Sequence, residues 1–227
     1  SEEKLFFIHG PAAAGKSTFI ETIKSVLGDY TRTADFETFL AQKNSGGPRP
    51  DIARLVGARF VASTEVNDGR HLAEGLIKIL AGGDTITARF LFSKEFEFKP
   101  QFKLWLCANY APRVSDDDSA LWRRILRLPF EHTIPIGQRD PKVKATLTNH
   151  KKAGPAILAW AVQGCLDWQK NGLGIPQRVL ASTEAYRREN DPLSEFFEQC
   201  CEFNPDCWTA SKELRDVFEL WAKESGT

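Results

Sequence analysis

The sequence contains no methionine, and neither sign of charge is in excess. Lys and Arg together number 30, and Asp and Glu also number 30, so the formal net charge is zero. A generally basic, histone-like coat for nucleic acid is therefore excluded, and any contact with DNA or RNA must come from local clusters. No apolar run approaches the roughly 18 residues that a membrane-spanning helix needs, so we expect no membrane partner. The missing methionine and a start that runs straight into a strand indicate a segment of a longer protein.

The sequence also lacks a disulfide framework. Its five cysteines are an odd number without a paired ladder, which is typical of reduced thiols in a cytoplasmic protein. Three of them, Cys200, Cys201 and Cys207, lie close together near the end of the chain. They form no Cys-x2-Cys pair and have no histidine nearby, so core or surface thiols are a better interpretation than a zinc site.

What is present is an alternation of apolar strands and helices. This pattern favours an α/β fold with a mostly parallel sheet covered on both faces. Gly28 is expected to end the first helix in a left-handed conformation. From Pro135 onward the pattern is helical. We predict strands at residues 5–8, 60–63, 103–107 and 125–130, a hairpin at 85–98, and helices at 16–27, 72–80, 157–168, from Asp191-Pro192 onward, and at 214–221.

A complete phosphate-loop motif follows the first strand. Gly10-Pro11-Ala12-Ala13-Ala14-Gly15-Lys16-Ser17 fits G-x-x-x-x-G-K-[ST] and lies between an apolar strand and a helix. The glycines let the backbone wrap a phosphate, and the loop N–H groups and the helix N-terminus attract the anion. Lys16 is expected to reach the β- and γ-phosphates of a nucleotide, and Ser17 is expected to bind Mg²⁺.

Polar residues follow two further strands. Glu65 ends the strand that begins at residue 60, and alone or with Asp68 it can orient an attacking water or support the metal. The alternative is a solvated acid at a strand end. Asn109 follows the strand at 103–107, where an amide can sense the γ-phosphate or make an ordinary turn before Pro112.

Two basic segments have alternative interpretations. Arg123 and Arg124 form either a surface pair of little energetic value or an arginine finger presented to the nucleotide of a neighbouring subunit. Arg89 and Lys94 alternate with phenylalanines in the predicted hairpin, which suits a single-stranded backbone and its bases. The pattern alone favours the simpler view, an amphipathic hairpin with one buried face.

In their order along the chain, these elements resemble the superfamily 3 helicase domain of phage and plasmid primase-helicases, a branch of the AAA+ ATPases. The resemblance rests on the phosphate loop, the strand that ends in Glu65 and three later segments. These segments are Ile77-Lys78-x-x-x-Gly-Gly-Asp-x-Ile-Thr-Ala-Arg, Lys-Leu-x-Leu-x-x-Asn-x-x-Pro from Lys103, and Trp-Arg-Arg-Ile from Trp122 followed by Leu-Pro-Phe.

The resemblance implies a fold and a domain organisation. The fold is an AAA+-like P-loop nucleotide hydrolase with a central, mostly parallel sheet, followed by a small helical or winged-helix-like module. Residues 1–135 form the ATPase core, residues 136–190 a helical extension and linker, and residues 191–227 the start of the winged-helix-like module. An upstream primase domain is expected in the parent chain.

The resemblance also implies an activity and a set of roles. The expected protein is an ATP-dependent DNA helicase that works as a hexameric ring on single-stranded or forked DNA in the cytoplasm of a bacterial host. Residues Gly10 to Thr18 are expected to bind ATP. Ser17 and Glu65 are expected to hold Mg²⁺, and Lys16 and Glu65 to take part in hydrolysis. Asn109 is the sensor, Arg123 or Arg124 acts in trans, and the hairpin from Arg89 to Lys94 grips DNA with Lys94 at its tip.

Two other functions are compatible with the same motifs. One is a nucleotide-switched DNA-binding or loading ATPase that does not unwind its substrate. The other is a P-loop small-molecule kinase, which is less favoured because the region 154–168 offers no arginine-bearing lid.

Overall fold

A computed structural model describes residues 2–42, 47–64, 70–115 and 118–225. Its strands are Leu5–His9 (β1), Thr31–Thr33 (β2), Phe60–Thr64 (β3), Ile86–Ala88 (β4), Phe96–Phe98 (β5), Lys103–Ala108 (β6) and Ile125–Pro129 (β7). Its helices are Lys16–Leu27 (α1), Pro50–Ala53 (α2), Glu74–Gly82 (α3), Ser119–Trp122 (α4), Lys142–Leu147 (α5), Gly154–Asn171 (α6), Gln177–Glu189 (α7), Pro192–Cys200 (α8) and Ser211–Ser225 (α9).

Five strands form one parallel sheet in the order β2-β3-β6-β1-β7. The apolar run of β1 lies inside this sheet, where Ile8 stands opposite Cys107 of β6 and Leu128 of β7. Strands buried on both faces are apolar throughout rather than alternating, which is the pattern of β1. The predicted α/β fold with a central parallel sheet is confirmed.

Apolar side chains pack on both faces of the sheet. Because successive residues of a strand point to opposite faces, Phe7 of β1 enters one cluster and Ile8 enters the other. Helix α1 covers the face of Ile8 through Ile20, and α3 covers the opposite face through Ile77. The sheet is therefore enclosed, and its strand ends are the places where polar groups can meet.

One strand and one helix cap differ from the sequence prediction, and helices α2, α4, α5 and α7 were not predicted individually. Strand β2, Thr-Arg-Thr, was not expected, because an edge strand paired with β3 needs no apolar run. Helix α1 ends at Leu27 as predicted, and the N–H of Gly28 bonds to the carbonyl of Lys24. The left-handed cap is wrong, however, because Gly28 has φ +52° and ψ −123°, outside the left-handed helical region.

The predicted hairpin forms a separate two-stranded sheet. Strands β4 and β5 are antiparallel, with Ile86 opposite Phe98 and Ala88 opposite Phe96. These four side chains pack against the larger core cluster, which confirms the amphipathic hairpin with one buried face. The connecting turn is closed by the N–H of Ser93, which bonds to the carbonyl of Phe90 at 3.1 Å.

All the secondary structure described between β7 and residue 225 is helical. Helix α7 packs along the outer edge of β7, and Asp191 caps α8 by accepting the N–H of Leu193 at 2.8 Å. Among the described helices, none is both long and apolar enough to cross a membrane. The domain boundaries near residues 135 and 190 and the winged-helix-like character of the last segment stay predictions.

Gly10 provides a test of how closely the loop after β1 approaches β7. Its φ is +152°, and a Cβ there would lie 2.0 Å from the carbonyl oxygen of Phe130. We expect Gly10→Ala to lower the free energy of unfolding by about 3 kcal/mol, since backbone must shift to relieve the overlap. Gly83→Ala is the matched control: its φ of +76° is also positive and lies in the left-handed region, but the new Cβ would meet only the carbonyl oxygen of Pro100, at an ordinary contact distance of 3.8 Å, so about 1 kcal/mol is expected. Urea denaturation measures both, and equal losses would contradict the close approach.

Candidate functional site

The loop at residues 10–15 joins β1 to α1 at the carboxyl edge of the sheet. Gly15 has φ +89°, which suits a glycine, while Ala13 has φ +60°, a conformation that costs a residue with a Cβ about 1 kcal/mol or more. The N–H of Ile134 bonds to the carbonyl of Ala13 at 3.1 Å and supports this turn from outside. The loop is therefore held in a strained, preformed shape.

Lys16, the first residue of α1, turns its ammonium group back into the loop. Its Nζ donates to the carbonyls of Gly10 and Pro11, both at 2.6 Å, and to Oδ1 of Asn109 at 2.8 Å. Burial lowers the pKa of Lys16. Three oxygen acceptors match the three N–H bonds of an ammonium group, so the lysine is a satisfied cation that an incoming anion can recruit.

A cavity of about 320 Å³ opens beside this ammonium group. It is bounded by the loop, the first turn of α1 and the ends of β3 and β6. The exposed hydroxyl of Ser17 lies among its walls. The N-terminus of α1 adds N–H groups and the positive end of the helix dipole, both of which favour an anion. The lining residues are Ala12, Ala13, Ala14, Gly15, Lys16, Ser17, Thr18, Thr64, Cys107, Ala108 and Asn109.

The structure thus brings most of the predicted nucleotide-binding segment to one place. Gly10 and Pro11 do not line the cavity but supply carbonyls to Lys16. Asn109 joins the loop because β6 pairs in parallel with β1. Three lining residues, Thr64, Cys107 and Ala108, were not predicted, since nothing in their residue type separates them from other strand ends.

The predicted metal and water-activating groups are only partly described. Glu65 and Asp68 lie outside the described residues, but Thr64, which precedes Glu65, lines the cavity. Within the described ranges no group of three or more His, Cys, Asp or Glu side chains could hold a metal ion. The remaining donor, the exposed Ser17 hydroxyl, fits a Mg²⁺ that arrives with phosphate oxygens and keeps several waters.

The two adjacent arginines have different surroundings. The Arg124 side chain is 10% exposed, and its Nη1 and Nη2 donate to the carbonyl of Ala120 at 2.7 Å and to Glu3 Oε2 at 3.2 Å. The Arg123 side chain is 65% exposed and lies 3.6 Å from the same carboxylate. Neither arginine lines the cavity among the residues the structure describes. Arg124 is thus held within its own chain, whereas Arg123 faces solvent.

The hairpin residues lie away from the cavity, and none of them is among its described lining residues. Because the turn closes between Phe90 and Ser93, its tip consists of Leu91 and Phe92, and Lys94 follows the tip rather than forming it. Phe92 is 98% exposed and has φ +59°. Phe90 and Leu91 are exposed as well, so the tip presents a contiguous apolar patch, which is typical of an interaction site. Sequence reasoning noted the phenylalanines but placed Lys94 at the tip.

A second polar cluster adjoins the loop and was also missed. His9 contacts Arg127 of β7, and Arg127 pairs with Glu189 of α7 at 2.9 Å. One sequence feature could have found it: Arg127 interrupts the apolar run of β7. Separately, Cys200, Cys201 and Cys207 are free thiols that border an apolar cavity of about 860 Å³ between α8 and α9.

Comparisons with known proteins place this geometry in context. The profile of a family of unknown function, DUF5906, matches residues 8–124. The provisionally named helicase L207/L206 of Acanthamoeba polyphaga mimivirus is 32% identical over 216 residues, covering 86% of this chain and 22% of that protein. The provisionally named helicase 022R of Frog virus 3 (isolate Goorha) is 27% identical over 236 aligned positions, covering 97% of this chain and 24% of that protein.

The chain therefore spans less than a quarter of the length of these two relatives. A solved structure of the NrS-1 C-terminal region superposes with a TM-score of 0.54 at 16% identity, covering 70% of this chain and 36% of that one. The superposition shows a shared fold. The stretch of this chain that the DUF5906 profile matches begins at Ile8 and includes the whole phosphate loop.

Arg123 and Arg124 differ enough to be separated by experiment. We expect Arg124→Ala to lower the free energy of unfolding by about 2–3 kcal/mol, because it removes charge-assisted hydrogen bonds and leaves a carbonyl unpaired. Arg123→Ala serves as the control, with an expected change within about 0.5 kcal/mol for an exposed side chain. Chemical denaturation of both variants measures the difference, and an Arg124→Ala protein as stable as Arg123→Ala would refute the structural role.

Proposed function

The chain belongs to the family of unknown function DUF5906, and from this premise we propose that it is the ATP-hydrolysing motor domain of a viral replication helicase. Both relatives described above are named as helicases and come from viruses, which supports a virus-encoded protein in general rather than one restricted to phages or plasmids. Assignment to superfamily 3 of the AAA+ ATPases, hydrolysis of ATP and translocation on DNA are parts of this proposal.

One observation carries the proposal: the ammonium group of Lys16 is enclosed by the phosphate loop and bonded to Asn109. A triphosphate that enters the 320 Å³ cavity offers this group stronger, anionic acceptors than the three neutral oxygens it holds now. The volume is at the low end for ligand sites. It suits the phosphates and their metal, with the base outside the enclosed part.

In this proposal each residue of the site has a separate role in hydrolysis. Lys16 and the N–H groups of the loop and of α1 bind the β- and γ-phosphates. Ser17 holds Mg²⁺, which when bound neutralises charge that develops on the phosphate oxygens. Asn109, released from Lys16, orients the γ-phosphate or the attacking water, and Glu65 takes the proton of that water.

We further propose that the site is completed by a neighbouring copy in a ring. The transition state of phosphoryl transfer gains from an arginine that reaches the γ-phosphate. Arg123 is exposed and held only by a loose 3.6 Å ion pair with Glu3, which a nucleotide across an interface can replace, whereas Arg124 is bonded more tightly within its own chain. Arg123 is therefore the arginine that acts in trans, in a ring that we expect to be a hexamer of the longer parent protein.

The same proposal assigns the hairpin to single-stranded DNA. Arg89 and Lys94 supply positive charge for phosphates, and Phe92 at the tip supplies a flat face for a base. The ion pair of Arg89 with Glu95 is loose, at 3.8 Å between two well-exposed side chains. A phosphate can therefore displace it at little cost.

Replacing Lys16 tests the nucleotide site. We expect Lys16→Ala to weaken ATP binding and to abolish ATP hydrolysis, because the cation nearest the phosphates is removed. The control is Lys24→Ala on the same helix, where Lys24 pairs with Glu21 at 2.9 Å and lies outside the cavity lining. Calorimetric titration with Mg-ATP and phosphate release measure the two steps. ATP binding by Lys16→Ala equal to that of Lys24→Ala would reject the site.

Replacing Phe92 tests the hairpin. Stacking of a base on an aromatic ring contributes about 1–3 kcal/mol, so we expect Phe92→Ala to weaken the binding of a single-stranded oligonucleotide by about tenfold. Lys94→Ala should lower the salt dependence of binding by about one charge. Phe203→Ala is the control, because Phe203 is also exposed, at 78%, but lies between α8 and α9. Fluorescence anisotropy measures all three, and equal affinities for Phe92→Ala and Phe203→Ala would exclude the hairpin from DNA binding.

A further inference from the structure

His9 occupies the junction between β1 and the phosphate loop, directly before Gly10. Its ring faces β7, where Nε and Nη2 of Arg127 lie 3.2 Å and 2.8 Å from His9 Nδ1. A guanidinium group only donates hydrogen bonds. Nδ1 therefore accepts, and the ring is the neutral tautomer that carries its proton on Nε2.

His9 also borders the candidate sensor. In the parallel pairing of β1 with β6 it stands opposite Ala108, the residue before Asn109, and His9 and Asn109 line the same cleft. The backbone of Asn109 raises the pKa of His9, which is the direction expected for a backbone acceptor near the ring. His9 thus lies next to the residue whose side chain contacts Lys16.

Arg127 extends this contact to helix α7. Its Nη1 bonds to both carboxylate oxygens of Glu189, at 2.9 Å and 3.0 Å, and its guanidinium carbon lies 5.4 Å from the centre of the Tyr186 ring. The Arg127 side chain is only 10% exposed, whereas Glu189 is about half exposed. The buried cation therefore depends on two partners, the ring of His9 and the carboxylate of Glu189.

Helix α7 also holds the segment that follows Asn109. The hydroxyl of Tyr186 donates to the carbonyl of Pro112. The amide of Asn190, just after the helix, accepts the N–H of Val114 at 2.8 Å. A movement of α7 would therefore act on Asn109 from two directions, through His9 and through residues 112–114.

Space is available for such a movement on both sides of Asn109. One side is the 320 Å³ cavity at the phosphate loop. The other is a cleft of about 270 Å³ that His9, Tyr110, Glu189 and Asn190 line together with Asn109. A purely structural ion pair between β7 and α7 would need neither His9 nor an open cleft beside Asn109.

We propose that His9 is a positioning residue that couples Asn109 in the nucleotide site to helix α7 through Arg127 and Glu189. The role in hydrolysis rests on the function proposed above, whereas the coupling itself concerns the nucleotide-free protein as well. When a triphosphate draws Lys16 away from Asn109, a displacement of Asn109 is passed to the neighbouring His9 and through Arg127 and Glu189 to α7.

The charges around the ring determine how the coupling responds to pH. Burial lowers the pKa of His9, Arg127 and Lys16 lower it further, and Glu189 and the backbone of Asn109 oppose them. The ring is therefore neutral at pH 7. The bond from Arg127 is complete above the ordinary imidazole pKa of about 6.5. It is lost as the pH falls from there through the lowered value in the folded protein, because a protonated Nδ1 cannot accept.

Two substitutions of His9 test the proposal by kinetics. His9→Phe keeps an aromatic ring but removes both ring nitrogens and with them the acceptor of Arg127. We expect kcat for ATP hydrolysis to fall by about tenfold or more, as for a misplaced catalytic group. The Kd for ATP should change by less than about threefold, because Lys16 and the loop are retained. His9→Gln has one acceptor and one donor, so it should recover most of kcat. It should also lack the loss of kcat at acid pH that we expect of the wild type.

The control is Arg178→Ala, which removes an exposed ion pair of α7 with Glu131 but leaves His9 and Asn109 untouched. A kcat for His9→Phe equal to that of Arg178→Ala would overturn the positioning role. So would a His9→Gln protein that loses kcat at acid pH as we expect of the wild type, or one that recovers no activity.

Hydrogen exchange of the nucleotide-free protein separates this inference from the proposed function. In His9→Phe we expect faster amide exchange both at residues 110–114 and in α7, whereas Arg178→Ala should affect α7 alone. Unchanged exchange at residues 110–114 in His9→Phe would overturn the coupling. A wild-type protein that neither binds nor hydrolyses ATP would overturn the proposed function, and the exchange result would still decide whether His9 couples Asn109 to α7.

Discussion

The parallel pairing of β1 with β6 on one side and β7 on the other is the constraint on which the site depends. In parallel strands all carboxyl ends lie at one edge of the sheet. The phosphate loop after β1, Asn109 after β6 and Phe130 after β7 therefore meet although more than a hundred residues separate the first from the last. An antiparallel β6 would send Asn109 to the opposite edge and leave Lys16 without that partner.

A second constraint is that the buried cations beside the sheet are held by oxygen or ring-nitrogen acceptors of the chain. Lys16 is enclosed by carbonyls and an amide, Arg124 by a carbonyl and a carboxylate, and Arg127 by His9 and Glu189. Burying a charge without such partners is costly. The three arrangements differ in consequence: Lys16 borders a cavity and can exchange its acceptors, whereas Arg124 and Arg127 hold β7 and its neighbours in place.

Much of the fold was predictable because it follows from local patterns. The central apolar strands, the first helix, the hairpin and the start of α8 at Asp191-Pro192 all occur where periodicity and capping residues indicated. The edge strand β2 escaped prediction because its pairing is supplied by β3 rather than by its own residues. The conformation of Gly28 was wrong because glycine tolerates several backbone regions, and the packing after α1 selects among them.

For the candidate site, the sequence predicted the phosphate loop but not the contacts of the residues around it. Residue order alone identified the phosphate loop, because a phosphate-binding turn needs glycines, a lysine and a hydroxyl at set spacings that no other constraint requires. Three features of the site could be read only from the folded chain. They are the exposure of Arg123 rather than Arg124, the identity of the residue at the hairpin tip, and the contact of His9 with Arg127 and α7. These features depend on contacts between residues that are distant in sequence, or on adjacent side chains that point in opposite directions. A linear pattern carries no information about which side chains are neighbours across a sheet.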